Sequence, residues 1–371
     1  MVAHLLVGLT AMVITFIATP AVRWLALRTG VIDHPSDRKV HALPTPTLGG
    51  LALFVGIYGS GLVAVIVGEL GFRDAFTQTS QALGIAAGGL VIFALGVVDD
   101  LRALPAPVKL AGQVFAAGIL FLSGVKMQSL LLPGGFYSLS EDVSVLVTVV
   151  WIVAMINAVN LVDGLDGLAA GIVAIAGASF FVYTFEIEQS GTLGFAYLAP
   201  VLAMSTVGAA LGFLRHNFHP ARIFMGDSGS MLLGLMLGAA TVVGVGNLPS
   251  QIGLPSVPNV FLAYFPLLIP LMVLAIPILD ALLAIARRAR RRRSVFHADK
   301  EHLHHRLMDL GHGHRQAVVV MYVWSALASG AGLAFTFLDP EDVIFALPIA
   351  VGAIVLYTLF PVLTKALQQR L

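Results

Sequence analysis

The sequence contains no cysteine, which excludes disulfides, thiolate nucleophiles and cysteine-ligated zinc or iron–sulfur centres. It is also poor in charge. Asp, Glu, Lys and Arg make up 11% of the 371 residues, against about 25% in soluble domains. The net charge of +1 provides no global field for nucleic acid. Met1–Leu27 lacks the basic start and small-residue cleavage site of a signal peptide, and reads as a retained first span.

What is abundant is apolar surface. Hydrophobic residues account for 58% of the chain, and the mean hydropathy is +0.93. A water-soluble chain of this length cannot bury that much, so the solvent is lipid. A bilayer core takes about 20 apolar residues as a helix. On that scale the sequence divides into about eleven spans, near 2–25, 48–68, 80–98, 106–125, 143–160, 168–187, 192–213, 228–246, 260–286, 317–337 and 342–364. The expected fold is an all-α polytopic membrane protein, a single integral membrane domain over 1–371 without internal repeats. Pro20, Pro200, Pro270 and Pro277 fall inside spans and predict kinks.

Basic residues set the orientation. Of the 21 lysines and arginines, all but Arg73 and Lys126 flank or occupy loops on one side. The positive-inside rule makes that side cytoplasmic, with the N-terminus outside and the C-terminus inside. The cytoplasmic loops are then about 26–47, 99–105, 161–167, 214–227 and 287–316. All histidines except His4 lie on this side too, as do Asp99, Asp100, Asp163, Asp166 and Asp227. Any chemistry is therefore expected at the cytoplasmic membrane face.

Four polar constellations interrupt the apolar pattern there. Gly96-Val97-Val98-Asp99-Asp100 ends the third span, and Lys109 follows. Adjacent carboxylates at a membrane boundary are costly unless a cation holds them; otherwise they form a solvated helix end with Arg102 as counter-ion. Asn157, Asn160, Asp163 and Asp166 recur every three residues, and Gly164 and Gly167 are placed to end the helix and fold the acids back. Oxygen ligands without sulfur suit Mg²⁺. The third constellation, Asn217-Phe218-His219-Pro220-Ala221-Arg222-Ile223-Phe224-Met225-Gly226-Asp227-Ser228-Gly229, sets Asp227 at the first turn of a span. There an acid serves either as a helix cap or as a functional group. The fourth is the loop 287–315, where an arginine run precedes His302, His304, His305 and Arg306. The run suits anionic headgroups. The histidines beside an arginine suit a phosphate better than a metal. A smaller charged patch, Asp33 to His41, reads equally as an ordinary loop or a substrate contact.

Together, GVVDD, NAVNLVDGLDGLAAG, FMGDSGS and HLHHRL resemble, in order and spacing, the polyprenyl-phosphate N-acetylhexosamine-1-phosphate transferases, from about Asp33 to Tyr322. The fourth motif reads His-Leu-His-His-Arg, without three consecutive histidines. In this it is similar to the undecaprenyl-phosphate GlcNAc-1-phosphate branch rather than to the muramoyl-pentapeptide branch. The resemblance implies transfer of GlcNAc-1-phosphate from UDP-GlcNAc to undecaprenyl or another polyprenyl phosphate, releasing UMP. That would begin a cell-envelope polysaccharide at a bacterial plasma membrane. It implies Mg²⁺, with Mn²⁺ as a substitute, on Asp227 and Asn160. It assigns Asp163 and Asp166 to the nucleotide sugar, Lys109 to the diphosphate, and Asn217 and Phe224 to the uracil. His302, His304, His305 and Arg306 would close over the sugar phosphates, and a homodimer is expected. Asp99 and Asp100 are read as orienting or metal-shell groups, with a base role for Asp99 as the alternative; Asn157 is a further substrate contact. Another UDP-N-acetylhexosamine or UDP-MurNAc-pentapeptide is the alternative donor. An anion transporter is the non-enzymatic alternative, but transporters place ionisable groups near the midplane, commonly in repeats.

Overall fold

The structure, a computed structural model, describes residues 1–35, 43–67, 80–132, 135–189, 198–245 and 311–368. These are mostly helical (82%), in ten helices. In chain order they are α1 (Val2–Thr29), α2 (Gly49–Val67), α3 (Ser80–Arg102), α4 (Ala106–Leu122), α5 (Glu141–Val162), α6 (Leu168–Gln189), α7 (Leu198–Asn217), α8 (Gly226–Val245), α9 (His314–Phe337) and α10 (Pro340–Gln368). Nine are long and apolar enough to cross a membrane; α4, with 17 residues, is shorter. The chain is a polytopic helical membrane protein. Ten of the eleven expected spans fall on these helices. The remaining one, 260–286, lies outside the described residues, as do the arginine run and His302, His304, His305 and Arg306.

Two small antiparallel strand pairs depart from the expected all-helical pattern. β1 (Ile32–Asp33) pairs with β2 (Thr45–Pro46), and β3 (Ser129–Leu132) with β4 (Gly135–Ser138). Neither is long enough to show a period in the sequence.

The helices run past the apolar windows. α1 continues to Thr29, where Gly30, at φ 72°, donates its N–H to the Ala26 carbonyl. Such a left-handed closing residue suits glycine. Arg28 in the last turn lies 4.1 Å from the Trp24 ring centroid, a cation–π contact at the end of the span. α5 opens with Glu141 and Asp142, acids that favour a helix N-terminus.

α8 is the central helix. Its membrane window is 89% buried, against 6% for α10 at the periphery, and it packs on α2, α3, α5 and α7. Close approach depends on small residues. A Cβ on Gly96 of α3 would run into the backbone of Ser228 on α8. The segment entering α8 is docked by backbone hydrogen bonds onto the start of α2. Phe224 N–H donates to Pro46 O at 2.9 Å, Gly49 N–H to Phe224 O at 2.9 Å and Gly50 N–H to Met225 O at 2.8 Å.

Candidate active site

Helices α1, α3, α5 and α7 end, and α2, α4, α6, α8 and α9 begin, at one end of the bundle. There they surround an open cavity of about 820 Å³. Its lining contains Asp33, Asp99, Asp100, Asp163, Asp166 and Asp227, with Lys109 as the single lysine.

The α3–α4 turn is built around Asp99. Its Oδ1 accepts the Leu104 N–H at 2.6 Å, while Oδ2 accepts Lys109 Nζ at 2.7 Å. Pro105 then starts α4 with its φ preset for a helix entry, which puts Lys109 one turn in, facing back to Asp99. The partner of this acid is thus Lys109; the Arg102 counter-ion reading does not hold.

Asp100 faces α8. Its Oδ1 accepts the Asp227 N–H at 2.7 Å; Oδ2 accepts the Ser228 N–H at 3.2 Å and Ser228 Oγ at 2.7 Å. It therefore caps a helix remote in sequence, satisfying first-turn donors that have no intrahelical partner. Gly226, at φ 70°, brings that turn so close that a Cβ there would meet the Asp100 carboxylate.

With the cap supplied by Asp100, the Asp227 side chain is released from capping. Its Oδ2 accepts Lys109 Nζ at 2.5 Å and its Oδ1 accepts Asn160 Nδ2 at 3.0 Å. Asn160 also donates to Ser230 Oγ at 2.9 Å. Asp99, Lys109, Asp227 and Asn160, from α3, α4, α8 and α5, thus form one hydrogen-bonded row.

The loop after α5 folds back as its glycines predict. Asp163 occupies the C-cap, and Gly167 has φ 81°. Burial, reinforced by the negative charges of Asp227, Asp100 and Asp166, pushes the Asp163 carboxyl up to about 8. Asp166 Oδ2 accepts His219 Nδ1 at 2.7 Å and the Ala221 N–H at 3.0 Å. The His219 ring stacks on His314 at a centroid distance of 4.0 Å. Asp166, His219 and His314 have ligand atoms within 4.8 Å of one another. Asn217, buried, accepts the Gly167 N–H at 3.0 Å and donates to Ile223 O at 2.9 Å, stapling the two site loops together.

Of the residues singled out in the sequence, Asp99, Asp100, Lys109, Asp163, Asp166, Asn217, Phe224 and Asp227 line the cavity, and Asn160 stands directly behind Asp227. Asn157 does not line it. Its amide donates to Gln113 Oε1 at 2.7 Å and to Val153 O at 2.8 Å, one turn deeper between α4 and α5. Sequence reasoning missed Gln113, Ser228, Ser230, His314 and Tyr322. The Tyr322 hydroxyl donates to Gly167 O at 2.5 Å and ties α9 to the site loop. His219, Ser228 and Ser230 lie inside motifs already noted, and His314 lies in the histidine-bearing loop; for Gln113 and Tyr322 no local signal exists.

Among the described lining residues six aspartates, with carboxylate oxygens as donors, face one lysine. Such a set fits a hard divalent cation.

The chain is similar to known proteins over most of its length. A family model described as glycosyl transferase family 4 matches residues 82–245, the stretch holding the first three motifs and Lys109. The chain is 42% identical to the decaprenyl-phosphate N-acetylglucosaminephosphotransferase of Mycolicibacterium smegmatis, over 97% of this chain and 89% of the relative. It is 40% identical, at the same coverage, to the protein of that name from Mycobacterium tuberculosis. With a probable undecaprenyl-phosphate N-acetylglucosaminyl 1-phosphate transferase of Bacillus subtilis it shares 34% identity, over 85% of this chain and 80% of the relative.

Proposed function

The chain belongs to glycosyl transferase family 4, among the polyprenyl-phosphate N-acetylglucosamine phosphotransferases, and from this we propose that it moves GlcNAc-1-phosphate from UDP-GlcNAc onto a polyprenyl phosphate, with Mg²⁺, releasing UMP. The reaction is placed at the cytoplasmic face of a bacterial plasma membrane, as the first lipid-linked step of an envelope polysaccharide. The relatives at 42% and 40% identity are named for decaprenyl phosphate and the one at 34% for undecaprenyl phosphate, which ranks the C50 carrier ahead of the C55 carrier first expected.

The observation that carries this reading is the row Asp99–Lys109–Asp227–Asn160, drawn from four helices and opening onto one cavity. The donor set fits Mg²⁺ on Asp227, with Asn160 beside it. When bound, the ion would offset the charge on the diphosphate. Among the described residues, Lys109 is the cation that lines the cavity toward the two anionic substrates. Its two carboxylate partners hold it at the cavity wall, where a phosphate oxygen can replace one of them. Asp99, with both oxygens engaged, orients Lys109. A base is hardly needed, because a phosphate monoester has its second pKa near about 6 and the acceptor is mostly dianionic at neutral pH. An acceptor phosphate oxygen then attacks the phosphorus bearing the sugar; the new P–O bond forms as the bond to UMP breaks, in one in-line displacement. Asn217 and Asp166 hold the loop that frames the donor, and the histidine–arginine loop 302–306 would close over the sugar phosphates.

The test is UMP release by purified protein given polyprenyl phosphate, Mg²⁺ and a panel of UDP-sugars. UDP-GlcNAc should be used in preference to UDP-GalNAc and UDP-MurNAc-pentapeptide. Asp227→Asn should lower turnover by at least about 100-fold while the protein stays folded. Near-normal turnover in that variant would remove the metal assignment, and a wild-type protein that released no UMP from any donor would remove the reaction.

A further inference from the structure

A second cleft opens beside the site, of about 530 Å³, lined by Leu211, Leu214, Phe218, Arg215, Arg222 and Arg315 together with His216, His219 and Pro220. Among the described residues no carboxylate lines it. All three arginines are exposed, and among the described residues none forms an ion pair. In a chain this poor in charge, three unneutralised guanidinium groups around one hollow ask for an anion.

The placement also gives the hollow a depth. Leu211, Leu214 and Arg215 recur at helical spacing on one face of the last turns of α7, and Phe218 follows directly after it. Leu211, 43% exposed, lies on the bilayer side of Arg215. Along this face apolar contact gives way to cationic contact within one turn, as acyl chain gives way to headgroup in a lipid. Backbone anchors hold the rim. Arg23 Nε donates to Arg222 O at 3.0 Å, the Arg222 N–H donates to His216 O at 2.9 Å, and Arg315 Nε donates to His219 O at 2.8 Å. Arg315 also lies in the first turn of α9, where the positive end of the helix dipole adds to its charge.

We infer that this cleft is a binding site for one anionic phospholipid, whose phosphodiester sits among Arg215, Arg222 and Arg315 with an acyl chain against Leu211 and Leu214. The occupant is a structural phospholipid rather than the acceptor. The acceptor's phosphate has to reach Lys109 and Asp227, and the cleft is walled from their cavity by His219, whose ring contacts Asp166 and His314 on the other side. A lipid seated here would brace the 218–222 loop that brings His219 to Asp166.

The inference stands apart from the transfer reaction and is tested without nucleotide sugar. Detergent-purified wild type and variants are exposed to phosphatidylglycerol, phosphatidylcholine or polyprenyl phosphate, and retained lipid is counted by native mass spectrometry. Wild type should keep one phosphatidylglycerol and no phosphatidylcholine. The triple variant Arg215→Gln, Arg222→Gln, Arg315→Gln should need about tenfold more lipid for the same occupancy. Leu211→Trp, which fills the cleft without changing charge, should do the same. Unchanged retention in the triple variant or in Leu211→Trp, or displacement of phosphatidylglycerol by equimolar polyprenyl phosphate, would overturn the assignment.

Discussion

Two neighbouring acids, Asp100 and Asp227, touch one another's helices yet do different work. Asp100 spends both oxygens on the first turn of α8. Removing it leaves buried N–H groups without acceptors, each costing about 1–3 kcal/mol. Asp100→Ala should therefore lower the melting temperature and the turnover together, whereas Asp227→Asn should lower turnover alone; thermal unfolding and UMP release measured side by side separate the two. Asp163 behaves differently again. Its folded carboxyl titrates at about 8, while in the unfolded chain it titrates near about 4. Below about 4 both states hold the proton and the group has no effect on stability. Between the two values the unfolded chain releases the proton and the folded chain retains it, so stability falls as pH rises. Asp163→Asn should raise the melting temperature of cation-free protein at pH 8 and leave it unchanged at pH 4. An equal shift at both values would mean that burial and the charges of Asp227, Asp100 and Asp166 do not raise this carboxyl. These acids were legible in the sequence because a carboxylate in an apolar chain has few reasons to be there. Gln113, Ser230 and the stapling role of Asn217 were not, since each is defined by a partner that is distant in sequence and only the fold supplies.

Among the helices, the sequence located the apolar cores of the spans well and their ends less well. Hydropathy falls off where a helix leaves hydrocarbon, but its backbone hydrogen bonds continue until a residue stops them. α1 thus extends to Thr29 and Gly30, α5 to Val162 and the Asp163 cap, and α7 to Asn217. The polar ends that hydropathy cannot see are the parts that form the site. Packing between elements was legible only as a supply of glycine, without partners. The structure distinguishes glycines that matter from those that do not. Gly96 meets the Ser228 backbone, whereas a Cβ on Gly118 of α4 meets nothing within 4 Å. Gly96→Val should push α3 off α8, spread the Asp100–Asp227 contact and destabilise the protein by about 3 kcal/mol. Gly118→Ala should be neutral or stabilise by about 0.5–1 kcal/mol, through helix propensity. Thermal unfolding in detergent measures both, and equal losses would show that α3 and α8 do not pack as closely as described.

At the scale of the whole molecule, the alternating helices gather the described site residues at one end, while the β3–β4 hairpin lies at the other, where Lys126 pairs with Glu141 at 3.0 Å. That asymmetry matches the distribution of basic residues: among the described residues, every lysine and arginine except Lys126 belongs to the site end. The two facts are independent, since the cavity is defined by packing and the charge bias by the loops. Under the positive-inside rule both fit the proposal that the cavity end faces the cytoplasm. A cytoplasmic cavity is also what the proposed donor requires, because a nucleotide diphosphate sugar is membrane-impermeant and made inside the cell. The missing cysteines allow a direct test, as any single introduced thiol is the only one present. Ala106→Cys, exposed at the start of α4, belongs to the cavity end; Asp142→Cys, exposed at the start of α5, belongs to the opposite end. In intact cells a membrane-impermeant maleimide should label Asp142→Cys and spare Ala106→Cys until the membrane is permeabilised. The reverse pattern would put the six aspartates and Lys109 on the side where no nucleotide sugar is available, and would exclude the proposed donor however well the cavity suits it.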